Sequence, residues 1–203
     1  MNTAATLITV LRHGELEGPA NVLRGSSDTP LSGTGWQQMR AACAALDPPV
    51  TAIATSPLIR CRTFAQAFAA QQALPITVHD DLREIDFGAW ENLLPDEART
   101  STPELFAQFQ TSPEGTSPPD GEPFDAFKLR VLTAFDTCLT QTRGGHLLMV
   151  THAGVMRVLL ADKMNLPWAT TYHIAIPPAG GFRLSCLAGH EPYLLSLNSI
   201  CVA

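Results

Sequence analysis

The feature that most constrains this chain is a pair of short, strongly apolar strands that each stop at a histidine. The first lies in the stretch Thr6 to Glu15 (TLITVLRHGE), where Leu7, Ile8, Val10 and Leu11 give way abruptly to Arg12, His13, Gly14 and Glu15. Such a β-branched, apolar run bounded by a glycine turn reads as a buried strand. The second, His146 to Thr151 (HLLMVT), runs into His152, after which Ala153-Gly154 open a helix that extends through Asp162. In an open α/β sheet, ligands bind in the crevice outside the carboxyl ends of the strands, so both histidines belong to that crevice if the two strands are neighbours.

Between them the chain alternates. Leu16 to Pro30 is a polar loop, and Ser32 is placed to cap a helix whose Trp36, Met39, Cys43 and Leu46 share one face until Pro48-Pro49 ends it. A strand over Thr51 to Thr55 meets Ser56-Pro57, where Ser is expected as the cap and Pro as the first helical residue, which puts Arg60 in the first turn. Anions are favoured at that end of a helix. Pro75 to Val78 reads as a further strand, leading into Leu82-Arg83-Glu84-Ile85-Asp86-Phe87-Gly88. The pattern loosens over Glu91 to Pro123, and Thr111 to Pro123 (TSPEGTSPPDGEP) is too rich in Pro, Gly and Ser to be regular. The region at about 92–123 is therefore expected to be a loose, lid-like surface excursion. A helix over Phe124 to Thr140 carries Phe127, Val131, Ala134, Phe135 and Cys138 on one side, and β-type runs at His173 to Ile176, Gly181 to Leu187 and Tyr193 to Leu197 complete the sheet. Strands alternating with helices in this way predict an α/β three-layer sandwich, with a mostly parallel central sheet and helices on both faces, as one domain over 1–203.

Charge and cysteine usage exclude several functions. A net charge of −6 lacks the basic face that nucleic-acid binding needs. No run approaches the length of a membrane span, and residues 1–5 carry no signal-peptide pattern, so a cytoplasmic location is expected. The five cysteines, Cys43, Cys61, Cys138, Cys186 and Cys201, are spread without a CxxC pair and read as buried free thiols. No ligand cluster with metal spacing occurs, and the expectation is no metal and no cofactor.

Arg12, His13, Arg60 and His152 would together make an electropositive pocket within an acidic protein. Guanidinium forks match phosphate oxygens bidentately, and a phosphoryl group is what such a pocket suits. One neutral imidazole can act as nucleophile while the arginines and a second imidazolium stabilise the transferring group.

The ordered set Leu11-Arg12-His13-Gly14-Glu15, Ser56-Pro57-Leu58-Ile59-Arg60-Cys61, Leu82 to Glu91, Gly121-Glu122 and Val150-Thr151-His152-Ala153-Gly154 resembles the histidine phosphatase superfamily, which includes the cofactor-dependent phosphoglycerate mutases. Within it, Gly25 to Met39 looks most like the α-ribazole phosphatase branch of cobalamin synthesis. The resemblance implies a phosphoglycerate mutase-like fold and a phosphomonoesterase acting on a small-molecule phosphate ester. It implies His13 as the residue that becomes phosphohistidine. Arg12, Arg60, His152 and the backbone N–H of Ala153 would bind the phosphoryl oxygens. Glu84 would be the general acid for the leaving alcohol and then the base for water. The chain departs from the family pattern at Pro19, where many members have Asn, and at Asn92, where Gly is usual.

Other groups are set aside. His79, His146, His173 and His190 follow no strand into a motif and read as surface or structural, and Cys61 has no arginine six residues on that would make it a phosphatase thiol. Trp90, Phe106, Phe109 and Phe124 read as core, with stacking on an aromatic leaving group as the alternative. Two further readings stay open: a mutase, for which Arg99, Lys128 and Arg130 are the cations available to hold a substrate carboxylate, and a non-catalytic phosphate-binding module, which would have no use for Glu84.

Overall fold

The computed structural model describes residues 4–198. Its strands are β1 (Thr6–Arg12), β2 (Ala52–Thr55), β3 (Ile76–Val78), β4 (His146–Thr151), β5 (Gly181–Cys186) and β6 (Tyr193–Leu197), in the order β3-β2-β4-β1-β5-β6. Strands β1 to β4 run parallel, and β5 and β6 extend the sheet antiparallel beyond β1.

Alternation along the central strands separates the two faces. Ile8, Val10, Leu147 and Met149 pack with α5 (Phe124–Gln141) and α6 (Ala153–Lys163), whereas Leu11, Leu148 and Val150 pack with α1 (Gly33–Ala44) and α2 (Ile59–Gln72). Every residue of β4 is buried, as expected of a strand covered on both faces. The result is the expected layered α/β architecture. No helix among the described residues is long and apolar enough to cross a membrane.

Register places the site. Arg12 lies opposite Thr151, so the residues that follow, His13 and His152, leave the sheet side by side. Thr55 lies opposite Val150 on the other flank of β4, so Ser56 emerges next to them.

Four local expectations need correction. Helix α1 is capped by Ser32, whose Oγ accepts the Gly35 N–H at 3.0 Å, but α2 begins at Ile59, two residues after Pro57. Its cap comes from a distant loop, as Asp28 Oδ1 accepts the Ile59 N–H at 2.6 Å. Residues 173–176 are not a strand. Trp168–His173 is a 3₁₀ segment, and Arg157 takes the carbonyls of Thr171 and Ile174 that a neighbouring strand would otherwise satisfy. The excursion at 92–123 contains two helices, α3 (Pro95–Ser101) and α4 (Pro103–Thr111), each with Pro in its first turn, and its longest irregular stretch is 112–123. The cover is also not loose. The Trp90 indole N–H donates to Thr102 Oγ1 where α3 meets α4, and that of Trp168 donates to the Phe109 carbonyl, both at 3.0 Å. Cys43, Cys61, Cys138 and Cys186 are buried free thiols, while Cys201 lies outside the described residues.

Candidate active site

A cavity of about 770 Å³ opens at the carboxyl ends of β1 and β4. One end is cationic. Arg12, His13, Glu84 and Ala153, all expected there, line it together with Arg24 and Arg157. The other end is aromatic, walled by Phe87, Trp90, Phe106, Phe109, Phe124 and Trp168.

His13 is buried, its N–H held by the Thr151 carbonyl at 2.9 Å. Its Nδ1 lies 2.8 Å from the Gly14 carbonyl. A carbonyl only accepts, so Nδ1 carries the proton and Nε2 keeps the lone pair. Burial first, then Arg12 and Arg60, hold the imidazole well below its usual pKa, and the ring is neutral. Beside it, Arg12 donates through Nη1 to the Ile176 carbonyl at 2.6 Å, while its buried Nε has no partner among the described residues. Leaving a buried guanidinium donor unpaired is costly, so this N–H is a ready contact for an anion.

Glu84 faces the same space from the loop after β3. Oε2 accepts the Gly154 N–H at 2.9 Å and Oε1 accepts the Ile85 N–H at 3.1 Å. A Cβ at position 154 would stand 2.2 Å from Oε1, so the first turn of α6 needs a glycine there for the carboxyl to approach. Burial raises the Glu84 pKa against the pull of those two N–H groups and of Arg60 and Arg12. Arg130 braces the segment from below: it forks onto Glu122 at 2.7 and 2.8 Å and donates to the carbonyls of Asp81, Arg83 and Glu84.

Arg60 and His152 are fully buried and sit one layer behind His13, outside the cavity lining. The His13 and His152 rings are 5.4 Å apart, centroid to centroid. Arg60 Nε donates to His152 Nδ1 at 3.1 Å, which leaves the proton on His152 Nε2, within 2.7 Å of Ser56 Oγ. Burial, then Arg60 and His13, hold His152 well below its usual pKa. The expected imidazolium is therefore a neutral ring. Cys61 Sγ packs 3.7 Å from His152 Nε2, and burial pushes its pKa up to about 12, which keeps it a thiol.

The candidate carboxylate holders do not reach the cavity. Arg99 pairs with Asp96 and Lys128 with Glu114, both at the surface, and Arg130 is engaged as described. His79, His146, His173 and His190 also lie outside the lining; His146 is buried between Thr9 and the Pro48 carbonyl. Asn92 takes φ 62°, the left-handed conformation that explains a glycine preference and that Asn tolerates better than most residues.

Sequence reasoning missed Arg24 and Arg157. Arg157 follows Ala153 by one helical turn, and that i, i+4 spacing was the available signal. It lies over the Tyr172 ring, 4.6 Å from its centroid. The sequence poses core against pocket for the aromatic residues, and they are both: Trp90 and Phe124 are each 1 % exposed yet wall the cavity. Edge-to-face contacts join Trp90 to Phe106 (5.3 Å) and Phe109 (5.5 Å), and Phe124 to Trp168 (4.8 Å).

Comparison with known proteins places the chain in a family. A bifunctional protein of Mycobacterium tuberculosis is 35% identical over 172 residues, covering 83% of this chain, which spans about half of that relative (47%). An adenosylcobalamin/α-ribazole phosphatase of Salmonella typhimurium is 30% identical over 175 residues, covering 82% of this chain and 84% of its own. The solved structure of Bacillus stearothermophilus YhfR superposes with a TM-score of 0.84 at 27% identity over 98% of both chains. The model of the histidine phosphatase superfamily (branch 1) matches residues 8–199, and the chain belongs to that superfamily.

Proposed function

We propose that the protein is a phosphomonoester hydrolase that works through a phosphohistidine on His13. The observation that carries this reading is the His13–Gly14 hydrogen bond, which leaves Nε2 with its lone pair in a cavity that Arg12, with its unpaired Nε, also lines. In the first step Nε2 attacks phosphorus, the bond from phosphorus to the alcohol oxygen breaks, and the Glu84 proton passes to that oxygen. The Gly14 carbonyl steadies the positive charge that develops on the ring. In the second step Glu84, now a carboxylate, takes a proton from water as the water oxygen attacks phosphorus; the N–P bond breaks and returns the electron pair to Nε2. Arg12 and the Ala153 N–H receive phosphoryl oxygens from the cavity side. Arg60 and His152 join them from behind by exchanging their Ser27 and Ser56 partners for those oxygens.

The aromatic end supports an alcohol that is flat and uncharged. Both indole N–H groups are already satisfied, so the rings offer the substrate apolar faces and edges. Together with the likeness to the Salmonella adenosylcobalamin/α-ribazole phosphatase, this makes α-ribazole 5′-phosphate the first substrate to assay. A mutase acting on a small carboxylate has less support, because Arg99, Lys128 and Arg130 are all turned elsewhere.

The test compares kcat/KM for α-ribazole 5′-phosphate, 3-phosphoglycerate and sugar phosphates, and traps acid-labile phosphate on the protein. His13→Ala should lower turnover of every ester by about 10⁴-fold or more and abolish the trapped phosphate, with the fold retained. Phosphate trapped on His152, or isomerisation of 3-phosphoglycerate with little phosphate release, overturns the reading.

A further inference from the structure

Glu91 stands at the end of a 3₁₀ turn, outside the cavity lining, and its carboxylate is the anchor of a loop more than sixty residues earlier in the chain. Oε1 accepts the N–H groups of Gly25 (2.9 Å), Ser26 (2.8 Å) and Phe87 (3.1 Å), and Oε2 that of Ser27 (3.4 Å). The fit is close: a Cβ on Gly25 would stand 2.3 Å from Glu91 Oε1 and 2.0 Å from the Ile85 carbonyl.

The other side of the same loop faces Arg60. Its Nη2 donates to the carbonyls of Gly25 (2.8 Å) and Arg24 (3.3 Å), and its Nη1 to that of Ser27 (2.7 Å). In a trans peptide the N–H of one residue and the carbonyl of the residue before it share a plane and point in opposite directions. The Gly25 N–H and the Arg24 carbonyl therefore belong to one peptide, and the Ser26 N–H and the Gly25 carbonyl to the next. Both peptides have an anion at the N–H end and a cation at the carbonyl end, so each charge stabilises the orientation that serves the other. Arg60 then passes the constraint on, because its Nε donates to His152 Nδ1 and so sets which nitrogen of that ring carries the proton.

We propose that Glu91 is a positioning residue of the reaction: through two peptide planes it fixes the Arg60 guanidinium, and through Arg60 the tautomer of His152. Its effect on turnover rests on the phosphohistidine reading above, whereas its effect on the His152 ring does not. Glu91 does not line the cavity; beyond the loop, its carboxylate also holds the Phe87 N–H and acts on the Arg60 guanidinium through its charge.

The experiment uses Glu91→Gln, which keeps size but turns an amide NH₂ toward backbone donors, and Glu91→Asp, which keeps the charge. Two-bond ¹H–¹⁵N spectra of the histidine rings report the His152 tautomer, and titration with inorganic phosphate reports the pocket without turnover. Glu91→Gln should shift His152 away from the Nε2–H form, weaken phosphate binding about tenfold and lower kcat/KM for p-nitrophenyl phosphate about tenfold, the size of one charge-assisted hydrogen bond. Glu91→Asp should keep the wild-type tautomer. A folded Glu91→Gln protein with the wild-type tautomer and phosphate affinity overturns the proposal. If the wild-type protein hydrolyses no ester, the phosphohistidine reading fails, and the tautomer and phosphate titration still decide the role of Glu91. Should Glu91→Gln not fold, Glu91→Ala with added acetate replaces it: recovery of phosphate binding with acetate supports the relay, and no recovery, or failure of this variant also to fold, marks Glu91 as structural.

Discussion

The two ends of the cavity are built in opposite ways. The cationic end is made by short segments that leave neighbouring strands in register, Arg12-His13 from β1 and His152-Ala153 from β4, with Glu84 brought in by two backbone N–H groups. Many of its polar atoms are already engaged, while the buried Arg12 Nε has no partner among the described residues and His13 Nε2 keeps its lone pair. The aromatic end is made by rings from well-separated segments, Trp90, Phe106, Phe109, Phe124 and Trp168, that meet edge to face. Directional bonds fix the first to a fraction of an ångström, which transfer of a phosphoryl group requires. Non-directional packing holds the second, which suits recognition of an apolar group and tolerates change more readily. Chemistry should therefore fail sharply when the cationic end is altered, and selectivity should drift when the aromatic end is.

The largest effect in this contrast, after loss of the nucleophile, belongs to Glu84. Burial raises its pKa, so it holds a proton at higher pH than an exposed carboxyl and can donate it to an alkoxide. Glu84→Gln should slow the phosphorylation step for an alkyl phosphate by about 10²–10⁴-fold, the range of general acid catalysis. p-Nitrophenolate leaves well without a proton, and its phosphorylation step should hardly change. Single-turnover measurements with both esters make the comparison, and equal losses would remove the general-acid role.

The contrast also explains what the sequence made legible. Arg12, His13 and His152 are readable because Arg12 ends a strand and each histidine directly follows one, and a strand end is a place in the fold as well as in the chain. Arg60 was placed in the first turn of a helix correctly, although the cap that starts that helix comes from Asp28, a residue no local pattern links to it. The aromatic end was unreadable because a ring that packs and a ring that walls a cavity have the same sequence signature; Phe109 does both. The excursion read as loose because its Pro, Gly and Ser content was weighed over all its residues, whereas two prolines there start helices. Glu91 was visible as a motif letter only, since its partners at 25–27 lie on another part of the chain.

Acid should act on the stability of the cationic end, where the buried titratable groups pull in opposite directions. His13 and His152 are buried neutral, so their folded-state pKa values lie below the ordinary value of 6.5. Their contribution to stability is complete above that value and is lost as pH falls from it toward the folded-state pKa. Glu84 works in the other direction: its raised pKa means that stability is lost as pH rises from the usual carboxyl value of 4.5 toward the folded one. Between those limits two histidines oppose one carboxyl, and acid should win. Each histidine contributes a slope of at most about 1.4 kcal/mol per pH unit. Urea unfolding at pH 7 and pH 5.5 should show a lower midpoint in acid, and His13→Asn should flatten the difference. A midpoint that does not move would mean that these rings are hydrated or charged in solution.

The smallest effect, and the one that tests the aromatic end as a recognition surface, is Phe109→Leu. Phe109 is 5 % exposed, and its ring lies 5.5 Å from Trp90 and 6.1 Å from Phe124, centroid to centroid, while its carbonyl holds the Trp168 indole. Leucine keeps an apolar side chain on α4 and removes only the ring. Aromatic pairs are worth about 0.5–1.5 kcal/mol beyond their buried area, so KM for an aromatic leaving group should rise by roughly two- to tenfold. Loss of ring volume should cost about 1 kcal/mol of stability. kcat should change little, because no atom of Phe109 belongs to the cationic end. For 3-phosphoglycerate, whose alcohol is too small and too charged to use the rings, KM should stay at its wild-type value. Measuring both esters on one variant separates recognition from packing: a change shared by the two would mean that the rings serve only to hold α4 in place, and the aromatic end would then be core with an empty centre.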